Sequence, residues 1–409
     1  MDVSRRDLFK GGAVVMAGLA ATAGVTALGC KQEEQEKESV PEVKAFEPEG
    51  GWALEADVVV CGGGATGAPA AIQAFDDGAD VLILEKHDYL GGALRRCAGA
   101  YLAPNTSVMR HLGITDDNPA WLEEYLVKLA GEYGDEKLIH TYIEETTKNF
   151  EWMIAPVSEG GLGGQPLDTW QISPTPRNFD NPGMIYCMGE VGKGVFYNEF
   201  GLEDTERMRV HVFAPNPDDT VSQSKGTGMW KPFGDAIESR GIRVEYQTPF
   251  VDVITDDKGM VVGVVAEKDG KQINVKAKKA VILATATFAR NPELLRNFAG
   301  IEFKELPGAG GAKSFKEDEA LGESTMAALR LGAAPRGLLY VERGGVKINE
   351  HAQVIDWRGN VIPRLYTGGT IAGGFSSVRC PICGYQTSRG IAFGRIAGAH
   401  AAKLDNWDA

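Results

Sequence analysis

The hydrophobic positions change period three times between residues 53 and 90. Ala56-Asp57-Val58-Val59-Val60-Cys61 is a short apolar run rich in β-branched residues, the pattern of a parallel strand buried on both faces. Gly62-Gly63-Gly64-Ala65-Thr66-Gly67 follows at once, and Ala68 to Asp77 then places Ala71, Ile72 and Phe75 on one helical face. Val81-Leu82-Ile83-Leu84 is a second strand, ended by Glu85. Farther on, Asn118 caps a helix with Pro119 at its first position, and Leu138, Ile139, Tyr142, Ile143 and Phe150 stripe the next helix. A helix starts near Arg290, Asn291-Pro292-Glu293, and another lies around Gly322 to Leu331. Between Pro156 and Trp230 the chain is rich in Gly, Pro, Tyr and Asn, which predicts a long loop: a lid or a surface insertion.

The first thirty residues read as an export address. Arg5-Arg6 precede Gly11 to Gly29, nineteen residues without a charge and only mildly apolar, as in a twin-arginine signal. Ala27-Leu28-Gly29-Cys30 is similar to a bacterial lipobox, which predicts a lipid anchor on Cys30; a soluble exported form and an uncleaved anchor are the alternatives. Lys31 to Gly50 carries three lysines, seven glutamates and two prolines without an apolar face, so it reads as a solvated tether. Export of this kind implies the twin-arginine translocase as a partner, an envelope or periplasmic-face location, and membrane attachment through lipid.

Composition narrows the classes. Of 409 residues, 43% are hydrophobic and 24% charged, as in a folded protein of more than one typical domain. The net charge of −14, from 42 basic and 56 acidic side chains, argues against nucleic acid as a partner. Fifty-two glycines, without a three-residue period, mark tight turns and close backbone approaches. Cys30, Cys61, Cys97 and Cys187 are dispersed and only Cys380 and Cys383 form a close pair, so no disulfide framework is expected. No histidines pair at metal-ligand spacing, and no metal site is expected; His211 is expected to be solvated, and Cys61 to be a small core residue.

The strand, glycine turn, helix, strand and acid follow one another as a dinucleotide site requires. Gly62 permits the tight turn, Gly64 lets the backbone approach a pyrophosphate, and Gly67 allows close packing of helix on strand. The helix N-terminus offers N–H groups to the phosphates, and Glu85, eighteen residues after Gly67, can take the ribose hydroxyls.

The next segments resemble the flavoprotein family of fumarate reductase and 3-ketosteroid dehydrogenase. Glu85-Lys86, Gly91-Gly92 and Ala98-Gly99 resemble its second phosphate and isoalloxazine loop. Thr248-Pro249-Phe250 with Val261 to Val265, Ala280 to Thr285, Val361 to Gly369, and Phe393 to Gly398 resemble its adenine strand and hairpin, its returning strand, its late ribityl segment and its closing helix. The resemblance implies an α/β fold: a glutathione-reductase-like Rossmann FAD-binding domain, with parallel sheet, helices and β-meander, plus a small α+β cap. It implies FAD held by Gly62, Gly64, Ala65, Thr66, Gly67, Glu85, Lys86, Gly91, Gly92, Ala93, Ala98, Gly99, Phe250, Ala284, Thr285, Gly369, Thr370, Gln386 and Thr387. Covalent members carry a histidine in the segment corresponding to Glu85–Gly99; a noncovalent flavin is expected here.

The expected organisation is a signal at 1–29, a tether at 30–52, FAD-domain parts at 53–155, 229–290 and 344–409, an insertion or lid at 156–228, and a shortened clamp at 291–343. The family's clamp supplies an arginine acid, and only about sixty residues stand in its place, from Thr285 to Gly344. The family's histidine pair falls on Tyr340-Val341, its carboxylate-gripping arginine on Pro381, and its ribityl glutamate on Thr370. These losses point away from fumarate reductase itself, because a dicarboxylate needs charge-assisted partners to leave water. Cys380-Pro381-Ile382-Cys383-Gly384 and Tyr101 to Pro104 resemble segments of the ketosteroid enzymes. Tyr101, Tyr340, Arg343, Arg379 and Tyr385 are the candidates for the proton donor. The Cys380/Cys383 pair reads as a packed or disulfide-closed turn, a redox dithiol or part of a metal site. The expected activity is hydride transfer between flavin and a carbon next to a carbonyl, with an enone, unsaturated acid or steroid as substrate. An external carrier (a cytochrome, an FMN protein or a quinone-linked donor) would exchange the electrons. The competing reading is a non-catalytic electron-carrier flavoprotein.

Overall fold

The computed structural model describes residues 46–164, 170–173, 184–188, 207–299, 315–336, 345–375 and 382–409. In chain order the first half gives β1 (Leu54–Cys61), α1 (Gly67–Asp76), β2 (Val81–Leu84), α2 (Gly92–Arg96), β3 (Ala100–Leu102), α3 (Ser107–His111), α4 (Pro119–Ala130) and α5 (Glu136–Ile154). Then come β4 (Gln171–Ser173), β5 (Met184–Met188), β6 (Val210–Phe213), α6 (Gly226–Arg240), β7 (Arg243–Glu245), β8 (Phe250–Thr255), β9 (Val261–Lys268) and β10 (Lys271–Leu283). The last are α7 (Glu323–Arg330), β11 (Pro335–Arg336), β12 (Gly345–Val346), β13 (Gln353–Ile355), β14 (Val361–Thr367) and α8 (Tyr385–Ala402).

Alternation on β1 explains the main sheet. Val58 and Val60 join one core with α1, α5 and α8, whereas Val59 and Cys61 join a second core with β8, β9 and α7. All four side chains are fully buried, and each valine contributes roughly 1.5–3 kcal/mol by leaving water. The strand order is β13-β14-β10-β1-β2-β7, with parallel pairing from β14 through to β7. The first half of β10 also pairs antiparallel with β9, which carries β8, giving the expected meander. An α/β sheet with this pairing places the C-terminal ends of β2, β1, β10 and β14 side by side, the edge on which such sheets bind ligands.

The cap expected at Asn118 is present, and the structure adds one at Asp135. Asn118 accepts from Ala120 N at the start of α4, and Asp135 accepts from Lys137 N and Leu138 N at the start of α5. The closing helix packs on α1 through a stripe of glycines. A Cβ on Gly394 would stand 2.2 Å from Thr66 O, and one on Gly398 2.2 Å from Ala70 O. Both helices therefore approach at backbone distance.

The insertion departs from a simple loop. β6 pairs with β3 and with β5, and β5 with β4, making a four-stranded sheet on the first flavin segment. His211 lies on β6 opposite Tyr101 and is fully buried, not solvated. Its Nε2 is 2.8 Å from Thr106 Oγ1, and its ring centre is 4.3 Å from that of Phe150. Burial pushes its pKa down to about 4. Beside it, Arg209 donates to the Asp117 carboxylate at 2.6 and 3.0 Å in the interior. The period of the short β6 run, flanked by Arg209 and containing a histidine, hid a buried strand. Among the described residues no helix is long and apolar enough to cross a membrane.

Candidate functional site

The turn after β1 is shaped by contacts that leave no room for side chains, except at one position. Gly62 has φ +102°, its N–H donates to Leu84 O, and an added Cβ would lie 2.7 Å from Ala284 O. A Cβ on Gly67 would lie 1.8 Å from Gly62 O, which forces α1 hard against the turn. A Cβ on Gly64 would meet only Gly91 O, at 3.9 Å. Gly92, the first residue of α2, faces the same gap, with Gly64 Cα its only neighbour, at 3.9 Å. The start of α1 carries no side-chain cap and no acidic residue in its first turn, so no acid of that turn offsets its positive end; Ala68 N donates to Gly64 O within the turn, and Pro69 has no N–H.

Glu85 closes the far side. Its carboxylate is buried and accepts from Gly63 N and His87 N, both at 3.0 Å. Burial raises its pKa, and those two N–H groups oppose the shift. Lys86 follows and donates to Asp318 O. His87 lies within the Glu85–Gly99 segment, a residue that the expectation of a noncovalent flavin passed over. Its Nε2 stands 2.9 Å from Glu319 and its ring stacks on Tyr89 at 5.1 Å.

From the other strands, Ala284 N donates to Cys61 O, and Thr285 Oγ1 donates to Ser324 Oγ at 2.7 Å. Gly369, at φ +60°, lies against Thr66: a Cβ there would be 2.3 Å from Thr66 Oγ1. Thr370 sits beside it in the short turn after β14. Gly91 and Ala93 flank Gly92, and Ala98 and Gly99 lead into β3, Gly99 lying against the Lys225 backbone. Phe250 buries its side chain in the second core and pairs with Ala266 of β9.

The start of α8 completes the arrangement. Gly384, at φ +87°, touches the backbone of Ala100 and Tyr101, which brings Gln386 and Thr387 toward the loop ahead of β3. Both polar atoms of the Gln386 amide are buried without a partner. A buried amide left so is costly unless a bound group satisfies it. The Thr387 hydroxyl bonds the Cys97 thiol, and Cys383 lies within electrostatic reach of both Cys97 and Lys225. The sequence paired Cys383 with Cys380, which lies outside the described residues; the fold also brings Cys97 near it. Cys97 is a free thiol, and burial raises it to about 11. Among the described residues no group of three or more His, Cys, Asp or Glu could hold a metal ion.

Two of the candidate proton donors, Tyr101 and Tyr385, are fully buried. The Tyr101 hydroxyl donates to Thr146 O at 2.9 Å and the Tyr385 hydroxyl to Phe375 O at 3.0 Å. Burial raises both phenols. With its proton committed to a backbone carbonyl, each serves packing in this arrangement. Tyr340, Arg343 and Arg379 lie outside the described residues. The chain enters and leaves the 337–344 segment at β11 and β12, whose backbone meets Ile371 to Gly373, just ahead of the 376–381 segment that holds Arg379.

The open cradle at Gly64 and Gly92, the buried ribose acid and the unsatisfied Gln386 amide together fit a flavin dinucleotide. Residues 57–339 match the family model described as FAD binding domain. The acrylate reductase flavoprotein subunit of Shewanella woodyi is 26% identical over 302 residues, covering 72% of this chain and 50% of that protein. The 3-oxosteroid 1-dehydrogenase of Mycobacterium tuberculosis is 24% identical over 323 residues, covering 68% and 54%. The chain spans about half the length of the curated relatives it matches. Among solved structures, a 3-ketosteroid-Δ4-(5α)-dehydrogenase from Rhodococcus jostii superposes with a TM-score of 0.71 at 21% identity, covering 86% of this chain and 98% of that one. The open form of a flavocytochrome c3 fumarate reductase gives 0.66 at 17% identity, covering 87% and 79%.

Proposed function

The chain belongs to the FAD binding domain family, and from that premise we propose an FAD-dependent oxidoreductase that reduces a C=C bond beside a carbonyl, or forms one. The observation that carries the reading is the open gap at Gly64 and Gly92 beside the buried Glu85, in a chain whose relatives include an acrylate reductase and a 3-oxosteroid dehydrogenase. FAD, held by the turn at Gly62 to Gly67, Glu85, Thr285 and Gln386, supplies the hydride chemistry when bound. The chain's own part is to bind and orient. The α1 N-terminus balances phosphate charge, Glu85 fixes the ribose, and the Gln386 amide meets the polar edge of the flavin. Loss of the carboxylate-binding groups at 340 and 381 supports a substrate less charged than a dicarboxylate. Arg343 and Arg379 are the proposed groups for polarising its carbonyl. The flavin is proposed to be noncovalent, with His87 engaged by Glu319.

The cellular reading is also a proposal. Arg5-Arg6, the uncharged stretch to Gly29 and Cys30 support twin-arginine export and lipid anchoring on the envelope side. The 156–228 insertion is the proposed cover of the flavin face. Electrons would then come from, or go to, a separate envelope carrier. The experiment is anaerobic reduction of the bound flavin, followed by addition of enones, unsaturated acids or steroids while its absorbance is followed. Reoxidation by one class identifies the substrate, and reoxidation by none of them rejects the assignment. The short 291–343 region favours one second reading, an electron-carrier flavoprotein. In that case a redox protein or quinone reoxidises the flavin and no carbon substrate does.

A further inference from the structure

Residues 315–322 join two walls that the sheet holds apart. On the β10 side, Arg290 N donates to Ala320 O at 3.0 Å, Arg290 Nη2 to Phe315 O at 2.7 Å, and Asn291 Nδ2 to Leu321 O at 3.0 Å. On the β2 side, Lys86 Nζ donates to Asp318 O, and Glu319 pairs with both His87, at 2.9 Å, and Arg96. Lys316 Nζ lies 4.7 Å from the centre of the Tyr89 ring. Phe315 and Ala320 pack on Phe288, Ala289 and Leu295, with Ala93 of α2 against them.

The strand order turns these contacts into a location. β1 lies between β2 and β10, so a segment tied to the exits of both must cross the end of β1. That end carries the Gly62–Gly67 turn. Lys316, Glu317 and Asp318 are exposed, whereas Phe315 and Ala320 on either side of them are buried. The Glu319 side chain is only 11% exposed, and an acid shared by two bases at that depth is far less screened than a surface pair.

We propose that residues 315–322 form a retaining bar across the FAD diphosphate groove, with Glu319 the positioning residue that latches it to His87 and Arg96. Exchange of FAD then requires the bar to lift, so the latch governs cofactor release more than the stability of the rest of the chain. This inference rests on FAD in the groove and is independent of the C=C chemistry.

The test uses full-length protein loaded with FAD. Release is followed by the rise in free-flavin fluorescence after dilution, and unfolding of the FAD-free protein is measured alongside. Glu319→Gln should release FAD about tenfold faster or more, from the loss of its charge-assisted bond with Arg96. Glu319→Asp should recover most of the slow release, and the FAD-free unfolding midpoints should stay close to that of the unaltered chain. Lys316→Ala changes an exposed side chain that does not threaten the fold, and should speed release by about two- to fivefold through loss of its ring contact. Release at the unaltered rate in Glu319→Gln and Lys316→Ala overturns the bar. Faster release matched by an equal fall in FAD-free stability overturns it too, because the role is then structural. A chain that folds but takes up no FAD overturns the cofactor reading and the bar together.

Discussion

A single methyl group at Gly64 separates folding from cofactor binding. Gly64 lies outside the left-handed region, and its added Cβ meets nothing closer than Gly91 O at 3.9 Å. Gly64→Ala therefore leaves the FAD-free chain unstrained. By restricting the unfolded chain it stabilises by about 0.4–1 kcal/mol, a rise of roughly 0.5–1.5 °C in midpoint for a domain of this size. The same methyl stands in the gap where backbone N–H groups would meet the diphosphate. Losing one such bond to a charged group weakens binding by about 1.5–3 kcal/mol, roughly ten- to two-hundredfold in Kd. Titration of the FAD-free variant by flavin fluorescence, with a thermal melt of the same sample, reads both effects. The contrast is Gly67→Ala, whose Cβ would sit 1.8 Å from Gly62 O and must displace backbone before any cofactor is added. A folded Gly64→Ala that binds FAD as tightly as the unaltered chain would refute the cradle. One that melts well below it would refute the claim of free space.

Tyr101→Phe and Tyr385→Phe each remove one buried hydroxyl bond. Each should cost about 1–2 kcal/mol in urea denaturation while turnover per bound FAD stays within about threefold; a hundredfold loss would return that tyrosine to the chemistry. Asp117→Ala leaves the buried Arg209 without that carboxylate, and should cost about 3–5 kcal/mol by the same measurement; a loss under 1 kcal/mol would contradict the buried pairing. His211 makes stability depend on pH. Its folded pKa of about 4 lies below the ordinary 6.5, so between those values the unfolded chain binds the extra proton. Its contribution is complete above about pH 7 and falls by about 3 kcal/mol as the pH drops through 6.5 to 4. Urea midpoints of the unaltered chain and His211→Gln should converge over that range, and parallel curves would rule this out.

The local part of the site was readable because its physics is local. A strand buried on both faces, a turn that only glycine fits and an acid at the end of the next strand each leave a pattern within about thirty residues. The strand run at Val81–Leu84 and the Asn118 cap were legible for the same reason. What sequence could not supply was pairing across distance. β6 is four residues long and contains His211; only β3 and β5 on either side make it interior. Tyr101 and Tyr385 are aromatic residues next to flavin-like segments, yet their surroundings are set by Thr146 and Phe375 from other elements. Glu319, in a stretch of mixed charge, had no local signal at all. Besides Lys316 N, which donates to it at 3.0 Å, its partners are His87 and Arg96, more than two hundred residues earlier in the chain.

The same strand order sets a clock on synthesis. β1 can pair with β2 soon after both leave the ribosome, but its other neighbour, β10, pairs Val281 with Val59 and is made roughly 10–40 s later at ordinary elongation rates. Through that interval one edge of a strand whose last four residues are wholly apolar has no native partner, the situation in which nascent chains aggregate or need a chaperone. α8, whose glycines seat α1, is made later still. Flavin insertion is thus a step that follows translation, and the rate at which the last third of the chain is made limits how soon the first third can become useful.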